Sequence, residues 1–162
     1  MQFYLDVQKE RTASFSVVYK RLVGAYGPEN HQWMERMKRW VQENGLACEQ
    51  TMILGIAWDD PSVTAAEMCR YDICVTSQKN ICMDSDYLER ETIDGGCYAV
   101  FLIEHTAEAV RTAWSQCFAA LPELGFVLDR TRPVMERYQT KLVDRHCCEL
   151  CVPIMDTECA IP

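Results

Sequence analysis

Residues 98–125, YAVFLIEHTAEAVRTAWSQCFAALPELG, repeat the plan of residues 17–45, VVYKRLVGAYGPENHQWMERMKRWVQENG. Each stretch begins with an apolar run typical of a β-strand and continues into a segment with helical spacing. Trp33 lies in the first helical segment and Trp114 in the second. Gly45 follows Trp33 after 12 residues, and Gly125 follows Trp114 after 11 residues. Each glycine lies where a helix needs a left-handed cap. The repetition predicts a duplicated supersecondary unit.

Both copies continue with two further segments typical of strands. In the first copy these are TMILGIAW (51–58) and CRYDICVTS (69–77), and in the second they are residues 133–138 and 147–154. The order predicts an α+β fold, a tandem βαββ repeat with pseudo-twofold symmetry. We expect two antiparallel sheets framing a central crevice in which a ligand is held. The whole chain, 1–162, is then one domain, with repeat one at about 1–77, a linker at about 78–92 and repeat two at about 93–162.

Composition and charge exclude several classes of protein. The chain has 162 residues, of which 49% are hydrophobic and 25% are charged, as in ordinary globular domains. Its formal net charge of −8 argues against direct binding of nucleic acid, because contacts to phosphates need clustered lysine and arginine. The N-terminus has no apolar signal core, and no run of 18 apolar residues is present. We therefore expect a cytoplasmic protein with no membrane partner.

The segment 133–138 carries the candidate functional carboxylate. In a strand, Val134, Glu136 and Tyr138 point to one face, and Met135 and Arg137 point to the other. If the Val134 face is buried, Glu136 lies in an apolar, aromatic environment, where it either binds a proton more tightly or attracts a cation. If the strand is turned over, Glu136 is solvated. Alternation alone leaves both possibilities open.

Superposing the two repeats gives a reason to single out Glu136. In that superposition Ile56 falls opposite Glu136 and Trp58 falls opposite Tyr138. The second copy then has a carboxylate where the first has a core aliphatic residue. Aromatic side chains are available to line a site around it, although each also suits an apolar core: Tyr26, Trp58, Tyr71, Trp114 and Tyr138.

The ten cysteines predict neither a disulfide framework nor a clear metal site. Cys148 and Cys151 have C-x-x-C spacing, with Cys147 beside them and Cys159 beyond. They fall on a predicted strand, where residues three apart face opposite ways, and no second C-x-x-C is present. The pattern favours packed thiols over a metal or redox role for this cluster. We expect no metal and no cofactor.

Other catalytic patterns are weak. His105 follows Glu104 at the entry to the second predicted helix, and such neighbours on a helix do not face each other, so a solvated cap region is favoured. The sequence contains no G-x-S-x-G, H-E-x-x-H or phosphate-loop pattern.

Taken in order, several motifs resemble the GyrI-like small-molecule-binding family, the effector-binding domain of AraC-type and MerR-type multidrug regulators. They are GAYGPENHQWMERMKRWVQENGL, ILGIAWDDPSVTAAEMCRYDICVT, IDGGCYAVF and PVMERY followed by CELCVPI. The resemblance implies that Glu136 is the acidic residue that meets lipophilic cations in an aromatic pocket. It further implies that Tyr138 lies inward of it and that Tyr71 and Trp114 belong to the wall. One departure is Gly24-Ala25-Tyr26, where the family has a glycine-proline pair, at the expected pocket mouth.

The resemblance implies three roles. The first is a small-molecule-binding protein that holds a lipophilic, aromatic or cationic ligand through Glu136, Tyr138, Tyr71, Trp114, Trp58 and Tyr26. The second is a hydrolase of strained-ring, cyclopropanoid genotoxins with Glu136 as the catalytic carboxylate. The third is an inhibitor of DNA gyrase, or a partner of a regulator protein. We expect the first.

Overall fold

A computed structural model describes residues 2–76 and 88–156. The strands are β1 (Asp6–Thr12), β2 (Phe15–Val23), β3 (Met52–Ala57), β4 (Arg70–Thr76), β5 (Glu89–Ile93), β6 (Gly96–Glu104), β7 (Val134–Gln139) and β8 (Cys147–Ile154). The helices are α1 (Pro28–Glu43), α2 (Ala107–Glu123) and the single turn α3 (Thr140–Val143), with a 3₁₀ turn at Ala66–Met68.

The predicted βαββ order occurs twice, as β2-α1-β3-β4 and as β6-α2-β7-β8. Both helices end as the repeated glycines predict, since Gly45 and Gly125 have φ angles of 64° and 81°. A side chain at either position would strain the left-handed backbone. The α+β class is therefore confirmed.

The strands form one eight-stranded antiparallel sheet rather than two separate sheets. Its order is β1-β6-β8-β7-β3-β4-β2-β5. The two repeats meet where β3 pairs with β7, from Met52 opposite Gln139 to Ala57 opposite Val134. Because the backbone groups of β3 and β7 bond to each other, no gap separates the half-sheets at the centre. The predicted crevice between two sheets is replaced by a seam on the surface of one sheet.

The strands β1 and β5 were not predicted, because their side chains are mostly polar and show no clear apolar alternation. They are exchanged between the repeats: β1 pairs with β6, and β5 pairs with β2. Thr12 of β1 is opposite Gly96 of β6, and Phe15 of β2 is opposite Ile93 of β5. The β1–β6 and β2–β5 pairings therefore have the same register on both sides of the turns that join them. Together they join the repeats a second time. β5 lies mostly within the predicted linker, and residues 78–87 of that linker lie outside the described residues.

Both long helices pack on the same face of the sheet. α2 covers a cluster centred on Phe101, Ile103 and Leu150, and α1 covers one centred on Ile73 and Val75. The other face has its own apolar cluster, drawn from both repeats: Val17, Leu54, Ile56, Cys74, Ile93, Tyr98, Val100, Met135 and Cys151. The sheet therefore separates two apolar regions. Within residues 2–76 and 88–156, no helix combines the length and apolar character needed to cross a membrane.

Candidate functional site

Glu136 lies on the helix-covered face of the sheet, at the seam between the two repeats. The alternation predicted for β7 is observed: Val134 packs in the α2 cluster, whereas Met135 packs in the cluster on the opposite face. The ring of Tyr138 packs against both helix-side clusters. Glu136 is half-buried between these apolar regions. Of the two orientations that the sequence left open, the one that directs Glu136 inward is therefore present.

Three aromatic side chains donate hydrogen bonds to the Glu136 carboxylate. Trp114 Nε1 of α2 donates to Oε1 over 2.7 Å, and Tyr138 Oη donates to Oε2 over 2.6 Å. Tyr71 Oη of β4 approaches the same Oε2 at a longer 3.4 Å. Both carboxylate oxygens thus have partners within the protein. The carboxylate is held in one position, and aromatic rings from both repeats surround it.

The two tyrosines remain donors over the whole physiological pH range. Burial raises the pKa of Tyr71 well above its ordinary value, and the nearby Glu136 charge raises it further. The pKa of Tyr138 is raised for the same two reasons, with burial the larger. Each phenol therefore keeps its proton at neutral pH. Neutral aromatic donors therefore surround the Glu136 carboxylate acceptor. Donors of this kind stabilise a negative charge in an environment of low dielectric constant.

Gly55 makes room for this arrangement. It lies directly opposite Glu136 in the β3–β7 pairing. Ile56 packs in the cluster on the other face of the sheet, so the superposition of the repeats that made Ile56 the counterpart of Glu136 was shifted by an odd number of residues. Such a shift moves a side chain to the other face of a strand. A Cβ at position 55 would lie 2.1 Å from Tyr71 Oη and 3.3 Å from Glu136 Oε2. The absent side chain leaves the space that the Tyr71 hydroxyl occupies.

Replacing Gly55 by alanine is expected to displace Tyr71 from Glu136. Overpacking of a buried site costs about 1–3 kcal/mol, so the free energy of unfolding falls by that amount, as measured by urea denaturation. In the Gly55→Ala background, Tyr71→Phe removes the closest clashing atom and is expected to restore part of the loss. If Tyr71→Phe lowers stability equally with and without Gly55→Ala, the clash is not the cause.

Tyr26 lies one ring farther out along the same wall. Its ring centroid is 6.0 Å from that of Tyr71, in an edge-on arrangement. Its hydroxyl donates to the backbone carbonyl of Arg70 over 2.7 Å and also contacts the carbonyl of Asp59 at 3.1 Å. The loop that departs from the family pattern is therefore fixed by the Tyr26 side chain. Glu136, Tyr138, Tyr71, Trp114 and Tyr26 thus form one continuous group.

Trp58 does not join this group, because it lies on the opposite face of the sheet. Its indole Nε1 donates to Asp72 Oδ2 over 2.7 Å. Asp72 is fully buried and also accepts two hydrogen bonds of 2.8 Å from Arg21. Leu54 and Ile56, the alternate residues of β3, pack in the cluster on this same face. Trp58 therefore supports an internal ion pair rather than Glu136.

Two residues near the site were not predicted to belong to it. The His105 ring lies 5.3 Å from the Tyr138 ring, and burial, followed by the charge of Lys38, lowers its pKa. His105 lies just before the α2 N-cap, as expected, but it is half-buried, so only Glu104 of the pair is solvated. Lys38 Nζ of α1 lies 5.7 Å from the Tyr138 ring centroid. Both approach Tyr138 through the tertiary fold, and no spacing in the sequence relates them.

The C-x-x-C pair is divided between the two faces, as its place on a strand predicts. Cys148 packs in the α2 cluster and Cys151 in the cluster on the opposite face. Burial raises the pKa of both thiols to about 12. Among the described residues, no group of three His, Cys, Asp or Glu side chains converges as metal ligands would. Cys159 lies outside the described residues.

The sequence matches the model of the GyrI-like small molecule binding domain over residues 5–155. The chain belongs to the GyrI-like family. It is 39% identical to YosT, an SPbeta prophage-derived protein of Bacillus subtilis (strain 168) that is named as a transcriptional regulator. That match spans 154 residues, 93% of this chain and 99% of YosT. A DNA gyrase inhibitor of Pectobacterium carotovorum is 28% identical over 126 residues, 75% of this chain and 79% of the inhibitor.

Solved structures of other proteins share this GyrI-like fold. The C-terminal domain of EcmrR superposes with a TM-score of 0.72 at 12% identity, covering 96% of this chain and 99% of that domain. SAV2435 bound to tetraphenylphosphonium superposes with a TM-score of 0.61 at 18% identity, covering 95% of this chain and 96% of SAV2435. At these identities the likeness shows the fold alone.

Proposed function

We propose that this GyrI-like chain binds a lipophilic, aromatic or cationic small molecule at the seam between the two repeats, with Glu136 as its anionic anchor. The observation that carries the proposal is the Glu136 carboxylate, which is half-buried and held at both oxygens by Trp114 and Tyr138. A fixed negative charge among aromatic rings favours a lipophilic cation. The rings add dispersion and cation–π attraction that a neutral ligand would receive only in part.

The arrangement is suited to binding because the carboxylate requires no reorganisation when a cation arrives. Trp114 comes from one repeat, and Tyr71 comes from the other. Ligand contacts would therefore span both halves of the molecule. The tetraphenylphosphonium bound by SAV2435 belongs to the chemical class that this site favours, which supports the proposal by analogy of fold.

The test is a titration of tetraphenylphosphonium and of neutral triphenylphosphine oxide into the wild type and Glu136→Gln. The substitution keeps the shape of the side chain and removes its charge. We expect the affinity for the cation to fall by about 10- to 100-fold, as measured by calorimetry, because the substitution removes the charged contact and leaves the aromatic rings in place. The affinity for the neutral compound is expected to change far less.

The matched control is Glu104→Gln, which removes an exposed carboxylate at the end of β6. It leaves the net charge equal to that of Glu136→Gln, so a general electrostatic effect would appear in both variants. Equal affinity of wild type and Glu136→Gln for tetraphenylphosphonium would contradict the proposal.

The hydrolase of strained rings is distinguished in the same experiment. In that alternative Glu136 activates water, so a strained-ring compound incubated with wild type is consumed, whereas Glu136→Gln still binds the compound without consuming it. Mass spectrometry of the mixtures measures this directly. The Trp114 and Tyr138 hydrogen bonds occupy both carboxylate oxygens, which favours an anchor over a base.

A protein partner is the second candidate function, favoured by the similarity to a DNA gyrase inhibitor. Inhibition of gyrase supercoiling by the purified chain would support it. Because the contact would be made by the protein surface, that inhibition is expected to survive Glu136→Gln.

A further inference from the structure

A cavity lies on the face of the sheet opposite to Glu136. Its volume is about 670 Å³, within the range of small-molecule sites. Strands of both repeats and the α3 turn line it, including Leu54, Val100, Met135, Arg137, Glu149 and Lys141. Met135 and Arg137 alternate along β7 with Val134, Glu136 and Tyr138, so the sheet itself separates this cavity from the seam.

Part of the cavity lining is apolar and still accessible. Met52, Leu102 and Leu142 line the cavity and are each half-buried. They belong to β3, β6 and the α3 turn. A molecule entering the cavity would therefore bury an apolar body against these side chains.

The cavity lining also holds a compact ion network of Glu10, Arg137 and Glu149. The Arg137 guanidinium donates to both oxygens of Glu10 over 2.9 Å and to both oxygens of Glu149 over 3.0 Å. Gln139 Nε2 also donates to Glu149 Oε1. Arg137 is only 8% exposed, so this network is built into the sheet. Two carboxylates face one guanidinium, which leaves one negative charge in excess.

Neighbouring groups do not cancel that excess. The remaining charged residues that line the cavity are Asp6 and Lys141, whose charges offset each other. Hydrogen bonding to Arg137 lowers the pKa of Glu10, so this carboxylate is ionised at neutral pH. Glu10 keeps 40% of its side chain exposed and can accept a further hydrogen bond on the cavity side. The five charged side chains that line the cavity therefore carry one net negative charge.

We propose that this cavity is a second ligand site and that it binds a small organic monoamine with an apolar body. The ammonium group would donate to the Glu10 and Glu149 carboxylates and offset this net negative charge. The apolar body would lie against Met52, Leu102 and Leu142. The site differs from the Glu136 seam in chemistry, because it offers several carboxylate acceptors to an N–H donor. It does not depend on the function proposed for Glu136.

The experiment uses the full chain carrying Glu136→Gln, so that binding at the seam is weakened. A panel of monoamines, including 1-naphthylmethylamine, tryptamine and octylamine, is titrated by calorimetry alongside the matched alcohols. We expect at least one amine to bind with one-to-one stoichiometry, and its alcohol to bind at least tenfold more weakly. Adding Glu10→Gln, which keeps the side-chain shape, is expected to weaken the amine about tenfold.

A blocking variant separates this cavity from the rest of the surface. Gln8 is exposed on β1 and lines the cavity, so Gln8→Trp is expected to abolish amine binding. Thr92→Trp places the same side chain at an exposed strand position outside the cavity and is expected to leave binding unchanged. The proposal is overturned if no amine in the panel binds, if the alcohols bind equally well, or if Gln8→Trp and Thr92→Trp behave alike.

Discussion

Replacing Arg137 by methionine is expected to lower the free energy of unfolding by about 3–5 kcal/mol at neutral pH. The guanidinium is held by Glu10 and Glu149, and only 8% of the residue is exposed. Methionine fills much of the volume but leaves two carboxylates facing each other without a cation. The cost is therefore the uncompensated charge rather than lost packing. Urea denaturation of the two proteins at pH 7 measures it.

Two further variants test that reason for Arg137→Met. In its background, Glu149→Gln removes one of the stranded charges and is expected to recover part of the lost stability. Arg11→Met breaks an ion pair with Asp156 in which the arginine side chain is 58% exposed, and it should cost less than about 1 kcal/mol. If Arg137→Met is as mild as Arg11→Met, the network contributes little to folding.

Arg21→Met is expected to have an effect of similar size on the same face of the sheet. Asp72 is fully buried, and Arg21 gives it two hydrogen bonds of 2.8 Å. Without them Asp72 keeps the Trp58 indole as a donor but loses its cation. At pH 8 the expected loss in the free energy of unfolding is about 3–5 kcal/mol. Because Trp58 contacts Asp72, its fluorescence reports whether the carboxylate has moved.

The loss on Arg21→Met is expected to depend on pH through Glu91. Burial, followed by the charge of Asp72, raises the pKa of Glu91 from its ordinary 4.5 to about 7. A raised carboxyl pKa gives stability that is present below about pH 4.5 and is lost as pH rises through about 7. Arg21 lies 3.9 Å from Glu91 and opposes this shift. The variant should therefore be less destabilised at pH 5 than at pH 8. An equal loss of stability at the two pH values would exclude Glu91 as the cause of a pH dependence.

The orientation of Glu136 could be predicted only in part from the alternation of side chains along β7. Alternation in β7 correctly separated Glu136 and Tyr138 from Met135 and Arg137. It could not choose which face the helices cover, because both faces of this strand carry apolar residues. The resemblance to the GyrI-like family supplied that choice. The prediction that Trp58 lies at the site was wrong, because it depended on superposing the two repeats without an error of even one residue.

Gly55 and His105 mark the limit of prediction for the site. Gly55 matters because it lies opposite Glu136 across the β3–β7 pairing, a contact between residues 81 positions apart. His105 approaches Tyr138 because the end of β6 is brought beside β7 by β8. Neither relation leaves a signal in local spacing. Similarly, β1 and β5 are strands only because each finds a partner in the other repeat.

The sequence by itself determined the order and ends of the repeated elements, the left-handed glycine caps and the alternation that gives β7 two chemical faces. These features depend on the backbone geometry of neighbouring residues, which local side-chain patterns report. Only the tertiary structure decided that the repeats share one sheet, that Gly55 lies opposite Glu136, and that Arg137 joins Glu10 and Glu149. Those contacts depend on strand register between distant segments, where a shift of one residue exchanges the two faces.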